Sequence, residues 1–81
     1  MHIQMTSHGA VFSTRPMAHE VFDPMSNDSH IILDFAGVEM ASPSFLHETL
    51  LIFRRKAANI KMENMSASIQ LQLAKAQKIM D

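Results

Sequence analysis

Apolar positions along the chain form short continuous runs in some places and helical stripes in others, and this pattern predicts the strands first. Residues 30–35 form an apolar run that does not alternate. Such a run is typical of a strand buried on both faces of a parallel sheet, with helices on each side. Residues 60–64 alternate between apolar and polar side chains instead, which predicts a strand with one face in water.

The amino-terminal residues give a weaker strand signal. Residues 2–5 alternate loosely, residues 6–9 are typical of a turn, and residues 10–12 form a second short apolar run. This pattern allows a small N-terminal hairpin. It leaves open whether the segment forms one strand, two strands, or an arm that swaps between the subunits of a dimer.

Three stretches show the spacing of amphipathic helices. The first begins after Ser13 or Thr14, either of which can cap a helix, and it has a proline in its first turn. We expect it to end near Phe22 or Asp23, because a second proline follows, and a polar turn at residues 26–29 comes next. Its apolar stripe comprises Met17, Val21 and Met25, with Ala18 and Phe22 beside it.

The second and third helices follow the two strong strands. Ser42 and Pro43 give the second helix a cap and a favoured first residue, and Asn64 or Ser66 can cap the third. Their apolar stripes comprise Leu46, Leu50, Phe53 and Ala57, with Phe45 and Ile52, in the second helix and Ile69, Leu73, Ala76 and Met80 in the third. In the second helix the polar residues His47, Glu48, Arg54 and Arg55 can face water.

The predicted element order is therefore β(β)-α-β-α-β-α. Strands that alternate with helices favour parallel pairing through right-handed crossovers. We expect a single α/β domain over residues 1–81, a small sandwich in which about three helices cover a three- to four-stranded, mostly parallel sheet. In such sheets functional groups gather beyond the carboxyl ends of the strands, so the loop after Phe35 is the first place to look for a site.

The composition indicates that the core is small and that its side chains can adapt their packing. The chain has 81 residues, 47% hydrophobic, with eight Met, five Phe, no Trp, no Tyr and no Cys. Disulfides and thiolate metal sites are therefore excluded, and a domain of this size is marginally stable. Methionine is flexible and adapts to irregular gaps, so we expect it mainly to fill the core. The residues concerned are Met17, Met25, Met40, Met62, Met65 and Met80.

Charge and the absence of targeting signals bear on the partner and the location of the protein. Seven Lys and Arg against eight Asp and Glu give a net charge of -1, which argues against a nucleic-acid partner. The start of the chain lacks the pattern of a signal peptide, and its apolar runs are too short to span a bilayer. The missing cysteines fit a reducing compartment. We therefore expect a cytoplasmic protein with no membrane partner.

Few residues suggest catalysis or a cofactor. Gly9 and Gly37 belong to no phosphate-binding loop, and the histidines lack the helical pairing typical of zinc ligands. Ser44, His47 and Glu48 lie on one helical turn, where no separate loop presents a base to the serine. An enzyme with Ser44 as nucleophile is thus the weakest of the hypotheses, and we expect no catalytic residue, no metal and no cofactor.

One group of residues gives a more specific signal than those above. Residues 34–38 read Asp-Phe-Ala-Gly-Val, residues 42–45 read Ser-Pro-Ser-Phe, and the acidic Glu48 follows in the next helix. This pattern resembles the strand, loop and helix start of STAS domains, the fold of bacterial anti-sigma factor antagonists. It is closer still to a STAS-like family of uncharacterised function, which residues 13–15 and 60–64 also resemble.

The resemblance implies a non-enzymatic domain that binds a protein partner, either a histidine-kinase-like ATPase or an anti-sigma-type regulator. Ser44 takes the place of the serine that is phosphorylated in STAS domains, while Ser42, Pro43 and Phe45 replace the usual Asp, Ser and Gly of that loop. As the second residue of a helix, Ser44 would hold an added phosphate near free backbone N–H groups. The candidate partner-binding residues are Glu39, Met40, Ser42, Ser44, His47 and Glu48.

Two further expectations concern assembly. The alternative to a STAS-like regulator is a small homo-oligomeric structural or inhibitory protein, encoded for instance by a mobile element, whose contact surface is rich in Met. The predicted elements are also fewer than those of a full STAS domain. We therefore expect an exposed sheet edge or helix face to be covered by a partner chain.

Overall fold

A computed structural model describes residues 1–25 and 29–80. The predicted α/β class is confirmed, with an element order close to the predicted one, while residues 26–28 of the predicted polar turn lie outside the described residues. The elements are β1 (His2–Gln4), a 3-10 turn (Met5–Ser7), β2 (Val11–Phe12), α1 (Arg15–Phe22), β3 (His30–Asp34), β4 (Met40–Ala41), α2 (Pro43–Arg55), β5 (Asn59–Glu63) and α3 (Ala67–Met80).

The strands form two small parallel sheets. Strands β1, β3 and β5 lie side by side in that order, and β2 pairs with β4 in a separate two-stranded sheet. The prediction that a small N-terminal hairpin could form is wrong, because β1 and β2 do not pair with each other. Ile3 pairs with Leu33 of β3, whereas Val11 pairs with Met40 of β4. Parallel pairing buries Ile3 against the core, so the intervening residues link two sheets instead of reversing the chain. Strand β4 was not predicted, since two residues are too few to show alternation.

Only one face of the three-stranded sheet packs against the core. Ile31 and Leu33 are buried in the same core as residues from all three described helices. On the opposite face Ile32 is half-buried, and its neighbours His2 and Lys61 are exposed. The expectation that residues 30–35 are buried on both faces is therefore wrong. Among the described residues, helix α2 lies between α1 and α3 and contacts both.

The ends of α1 and α3 follow the predicted signals. Thr14 occupies the N-cap position of α1 although its side chain makes no capping hydrogen bond, a proline lies in the first turn, and the helix ends at Phe22. In front of α3 the Ser66 hydroxyl oxygen accepts a hydrogen bond from the Ile69 N–H at 3.2 Å, so Ser66 is the cap. Ile69 and Ala76 are buried as expected, whereas Leu71 on the outer side is 57% exposed.

Helix α2 also begins as predicted but ends sooner. The Ser42 hydroxyl oxygen accepts from the Phe45 N–H at 3.1 Å, and Pro43 is the first helical residue. At the other end Ala57 has a φ of 53°, and the Ala58 N–H donates to the Phe53 carbonyl across it. This is the hydrogen-bond pattern that closes a helix with a left-handed residue. Ala57 is thus exposed beyond the helix, and its expected place in the apolar stripe is wrong.

Aromatic rings fill the core between α1 and α2. The rings of Phe12 and Phe45 lie 4.8 Å apart, and those of Phe22 and Phe53 lie 4.9 Å apart, all four residues being at most 1% exposed. Such tilted and edge-on pairs stabilise a core beyond the area they bury. The core anchors both ends of the segment that runs from β3 to α2.

Candidate functional site

The loop that leaves β3 is fixed at its start by Asp34. Its Oδ1 atom accepts hydrogen bonds from the Ala36 N–H and from the Asn64 amide, each at 2.9 Å, and its Oδ2 atom lies 3.2 Å from His2 Nε2. These bonds, that from Asn64 first, hold the pKa of the Asp34 carboxyl below its ordinary value. The strand-end acid thus ties the ends of three neighbouring segments together, as expected for a structural carboxylate.

A glycine allows the loop to turn back toward the N-terminal segment. Gly37 has a φ of 81°, and a Cβ atom at this position would lie 3.0 Å from the Thr6 side chain. Both the backbone conformation and the close approach require a residue without a side chain. The chain then enters β4 beside β2.

The β2–β4 ladder displays two apolar side chains side by side. Val11 is 42% exposed and its register partner Met40 is 38% exposed, while Phe12 and Ala41 point into the core. Glu39, directly before β4, is also exposed. We call Val11, Glu39 and Met40 the β2–β4 patch.

The two serines of the predicted motif have different environments. Ser42 donates its hydroxyl proton to the Ser13 carbonyl at 2.9 Å, which joins the start of α2 to the segment before α1. Ser44 is exposed as the second residue of α2. Within the described residues no side-chain hydrogen bond joins Ser44 to His47 or Glu48, so the geometry contains no nucleophile–base pair there.

An ion-pair network connects α1 with α2. Glu48 Oε1 accepts from Arg15 Nη1 at 3.1 Å, and Glu48 Oε2 lies 2.7 Å from His19 Nε2. The other His19 nitrogen, Nδ1, lies 2.9 Å from Asp23 Oδ2. Arg15 Nη1 also donates to His47 Nδ1 at 2.7 Å, since an arginine cannot accept. The Glu48 side chain is 12% exposed, so the expectation that it faces water is wrong.

The network favours the charged forms of His19 and Glu48. Hydrogen bonds to Glu48 and then to Asp23 raise the pKa of His19 above its ordinary value, and the bond from His19 lowers the pKa of Glu48. When it is protonated, an imidazole between two carboxylates donates from both nitrogens and has no free lone pair with which to act as a base. The arrangement therefore fastens two helices and aligns the start of α2.

Of the six predicted partner-binding residues, the structure brings Glu39, Met40 and Ser44 to the surface in one short segment. Ser42, His47 and Glu48 make contacts within the protein.

The sequence pattern did not single out Arg15 and His19 as site residues. Their signal was present, because Arg15, His19 and Asp23 recur at four-residue spacing and so share one face of α1.

Among residues 1–25 and 29–80, no three His, Asp or Glu side chains are placed so that they could hold a metal ion. In the same part of the chain, no helix combines the length and apolar character that a membrane span needs.

Fold and site together define a small α/β protein in which one helix layer covers one face of a parallel sheet, and in which Glu39, Met40 and Ser44 are exposed on either side of the half-buried Ser42. No protein-family model, no curated protein and no solved structure matches the chain. The resemblance to STAS domains therefore stays a prediction that depends on residues 33–48.

Proposed function

We propose that the protein is a non-enzymatic, STAS-like interaction domain that binds a regulatory protein through the β2–β4 patch and the start of α2. The observation that carries the proposal is the exposed Val11 and Met40 pair, which lies within a few residues of the exposed Ser44. Exposed apolar side chains beside polar ones are typical of contact surfaces. Following the resemblance, the partner is a histidine-kinase-like ATPase or an anti-sigma-type regulator.

We further propose that phosphorylation of Ser44 regulates this contact. Ser44 is accessible, and the helix that begins beside it runs from Pro43 to Arg55. The free N–H groups and the dipole at the start of a helix stabilise a phosphate, which also adds negative charge next to the patch. The phosphate would change the surface that the partner meets while leaving the Ser42 cap in place.

The binding test is co-purification of the tagged protein from its source cells, with the recovered proteins identified by mass spectrometry. We expect the parent to retain an ATPase or an anti-sigma-type regulator, and Met40→Asp to lose it because a charge enters the apolar patch. Leu71→Asp is the matched control, since Leu71 is also exposed but lies on α3. Recovery of no specific partner, or equal recovery with Met40→Asp, contradicts the proposal.

The phosphorylation test uses the recovered ATPase with ATP and reads phosphate on Ser44 by mass spectrometry. Ser44→Ala provides the control. Phosphate elsewhere, or none under any condition, removes the regulatory part of the proposal and leaves the binding part standing.

The alternative, a homo-oligomer with a Met-rich contact surface, is favoured by one observation. Met62 and Met65 are half-buried and lie together at an open groove beside α3, whereas Met5 is fully buried. The methionines thus serve both the core and a surface.

A further inference from the structure

Strand β5 forms an open edge of the three-stranded sheet. Within the described part of the chain it pairs only with β3. The Asn59 N–H donates to the Ser29 carbonyl, and the Glu63 carbonyl accepts from the Phe35 N–H. The main-chain N–H and C=O groups of every second residue, from Asn59 to Glu63, therefore point toward β3. The N–H and C=O groups of the residues between them, Ile60 and Met62, therefore point away from the sheet, as at any strand edge.

The inner face of the sheet is incompletely covered at this edge. An open groove of about 240 Å³ lies between α2, β5 and α3, and its lining residues are Leu50, Ile60, Met62, Met65, Leu73 and Gln77. At the opposite edge Ile3 of β1 is only 6% exposed. The inner face of the sheet is thus covered at β1 and lacks apolar cover at β5.

The outer face of β5 carries two opposite charges. The side chains of Lys61 and Glu63 are 74% and 34% exposed, and Lys61 Nζ lies 3.6 Å from Glu63 Oε1. An exposed pair of this kind contributes little by itself, so both charges can take new partners. Positive and negative charges two residues apart on one face make the strand complementary to itself when it is turned around.

We propose that β5 pairs antiparallel with β5 of a second copy, with Met62 at the two-fold axis. In this register each Lys61 lies directly opposite the second copy's Glu63, which gives two cross-strand ion pairs on the outer face. Met62 lies opposite its own counterpart, and the two exchange both main-chain hydrogen bonds because their N–H and C=O groups point outward. The sheet continues through both copies, and the two grooves meet across the methionines.

Charge decides between this register and its neighbour. Centring the pair on Lys61 would place lysine directly opposite lysine, where like charges destabilise a strand pair. A shift by a single residue would turn apolar side chains to the outer face, so it is excluded. The arrangement uses β5 and not the β2–β4 patch, so it is independent of the partner proposed above.

Charge reversal tests the register, with the association measured by analytical ultracentrifugation. We expect the parent to be a dimer at micromolar concentration, and Lys61→Glu or Glu63→Lys alone to weaken dimerisation by about tenfold or more. The double variant Lys61→Glu/Glu63→Lys restores it, because each pair is only inverted. Lys75→Glu on the exposed side of α3 is the control and leaves the dimer unchanged. A monomeric parent, or single variants that dimerise as well as the parent, overturns the proposal.

A disulfide tests the two-fold position, since the chain has no cysteine of its own. In Met62→Cys the two thiols face each other across a hydrogen-bonded pair, whose Cα separation of about 5.5 Å lies within the range of disulfides. We expect oxidation to give a covalent dimer, and Gln4→Cys on the opposite edge strand to stay uncrosslinked. A dimer that Met62→Cys does not crosslink means another interface and contradicts the proposal. Met40→Asp dimerises normally, which separates this test from that of the β2–β4 patch.

Discussion

Helix α2 packs on α1 and on α3 in two different ways. Toward α1, the aromatic rings of Phe22, Phe45 and Phe53 leave almost no exposed surface, and ion pairs close the rim. Toward α3, Met62 and Leu73 are only half-buried and line an open groove. Rigid rings can fill a small core completely, whereas flexible methionines leave a surface that can adapt to a partner. The closed interface stabilises the fold, and the open one is free to make contacts.

The largest expected effect is at the closed interface. Phe45 is fully buried and contacts the rings of both Phe12 and Phe22. Phe45→Ala removes these contacts and leaves a cavity, which should lower the free energy of unfolding by about 3–5 kcal/mol. Urea denaturation followed by circular dichroism measures the loss. A loss below about 1 kcal/mol would mean that this side is no better packed than the groove.

A matched truncation in the groove should cost less. Leu73 is half-buried and already borders open space, so Leu73→Ala removes fewer contacts and creates little new cavity. We expect a loss of about 1–2 kcal/mol in the same urea experiment. Leu46→Ala, at a fully buried position of α2, is the comparison and should lose more. Equal losses at Leu46 and Leu73 would mean that the groove is packed as well as a fully buried position.

The ion pairs between α1 and α2 should contribute less to stability than the apolar contacts of Leu73. Glu48→Gln keeps the shape of the side chain but removes the charge that Arg15 and His19 contact. Because Arg15 and His19 are each about two-fifths exposed, water screens the network, and we expect a loss of about 1 kcal/mol. The loss should disappear in acid, since the pKa of Glu48 is lowered in the folded state and its contribution falls away once the carboxyl is protonated. An undiminished loss at low pH would show that packing, and not charge, is responsible.

The smallest expected effect is a change in pH dependence. The folded state raises the pKa of His19, so the protonated ring contributes fully below its ordinary value of 6.5, and the contribution is lost as pH rises through the folded pKa. The urea midpoint of the parent should therefore fall relative to that of His19→Gln as pH increases past 6.5. His8→Gln is the control, because His8 is exposed and lies outside the network. Parallel profiles for the parent and His19→Gln would contradict this role.

Local signals in the sequence were sufficient for most helices and strands. Ser42 and Pro43 begin α2 as predicted, because capping and a fixed proline φ act within a few residues. Strand β4 and the place of β2 were not predictable in the same way, since two residues carry no period and their pairing joins distant segments. Glu48 could not be placed for the same reason. Its polar side chain predicted exposure, but its contacts with Arg15 and His19 come from α1, which is distant in the sequence.

The sequence by itself determined the α/β class and the capped start of α2, because these depend on short-range propensity and periodicity. The tertiary structure decided which apolar residues became fully buried, which polar residues were held between helices, and where an open groove remained beside β5. Those outcomes depend on contacts between residues far apart in the chain, such as Arg15 with Glu48. Burial depends on how the elements pack together. The side of α2 that faces α1 and the side that faces α3 could therefore differ in burial, although the apolar spacing along the helix is the same for both.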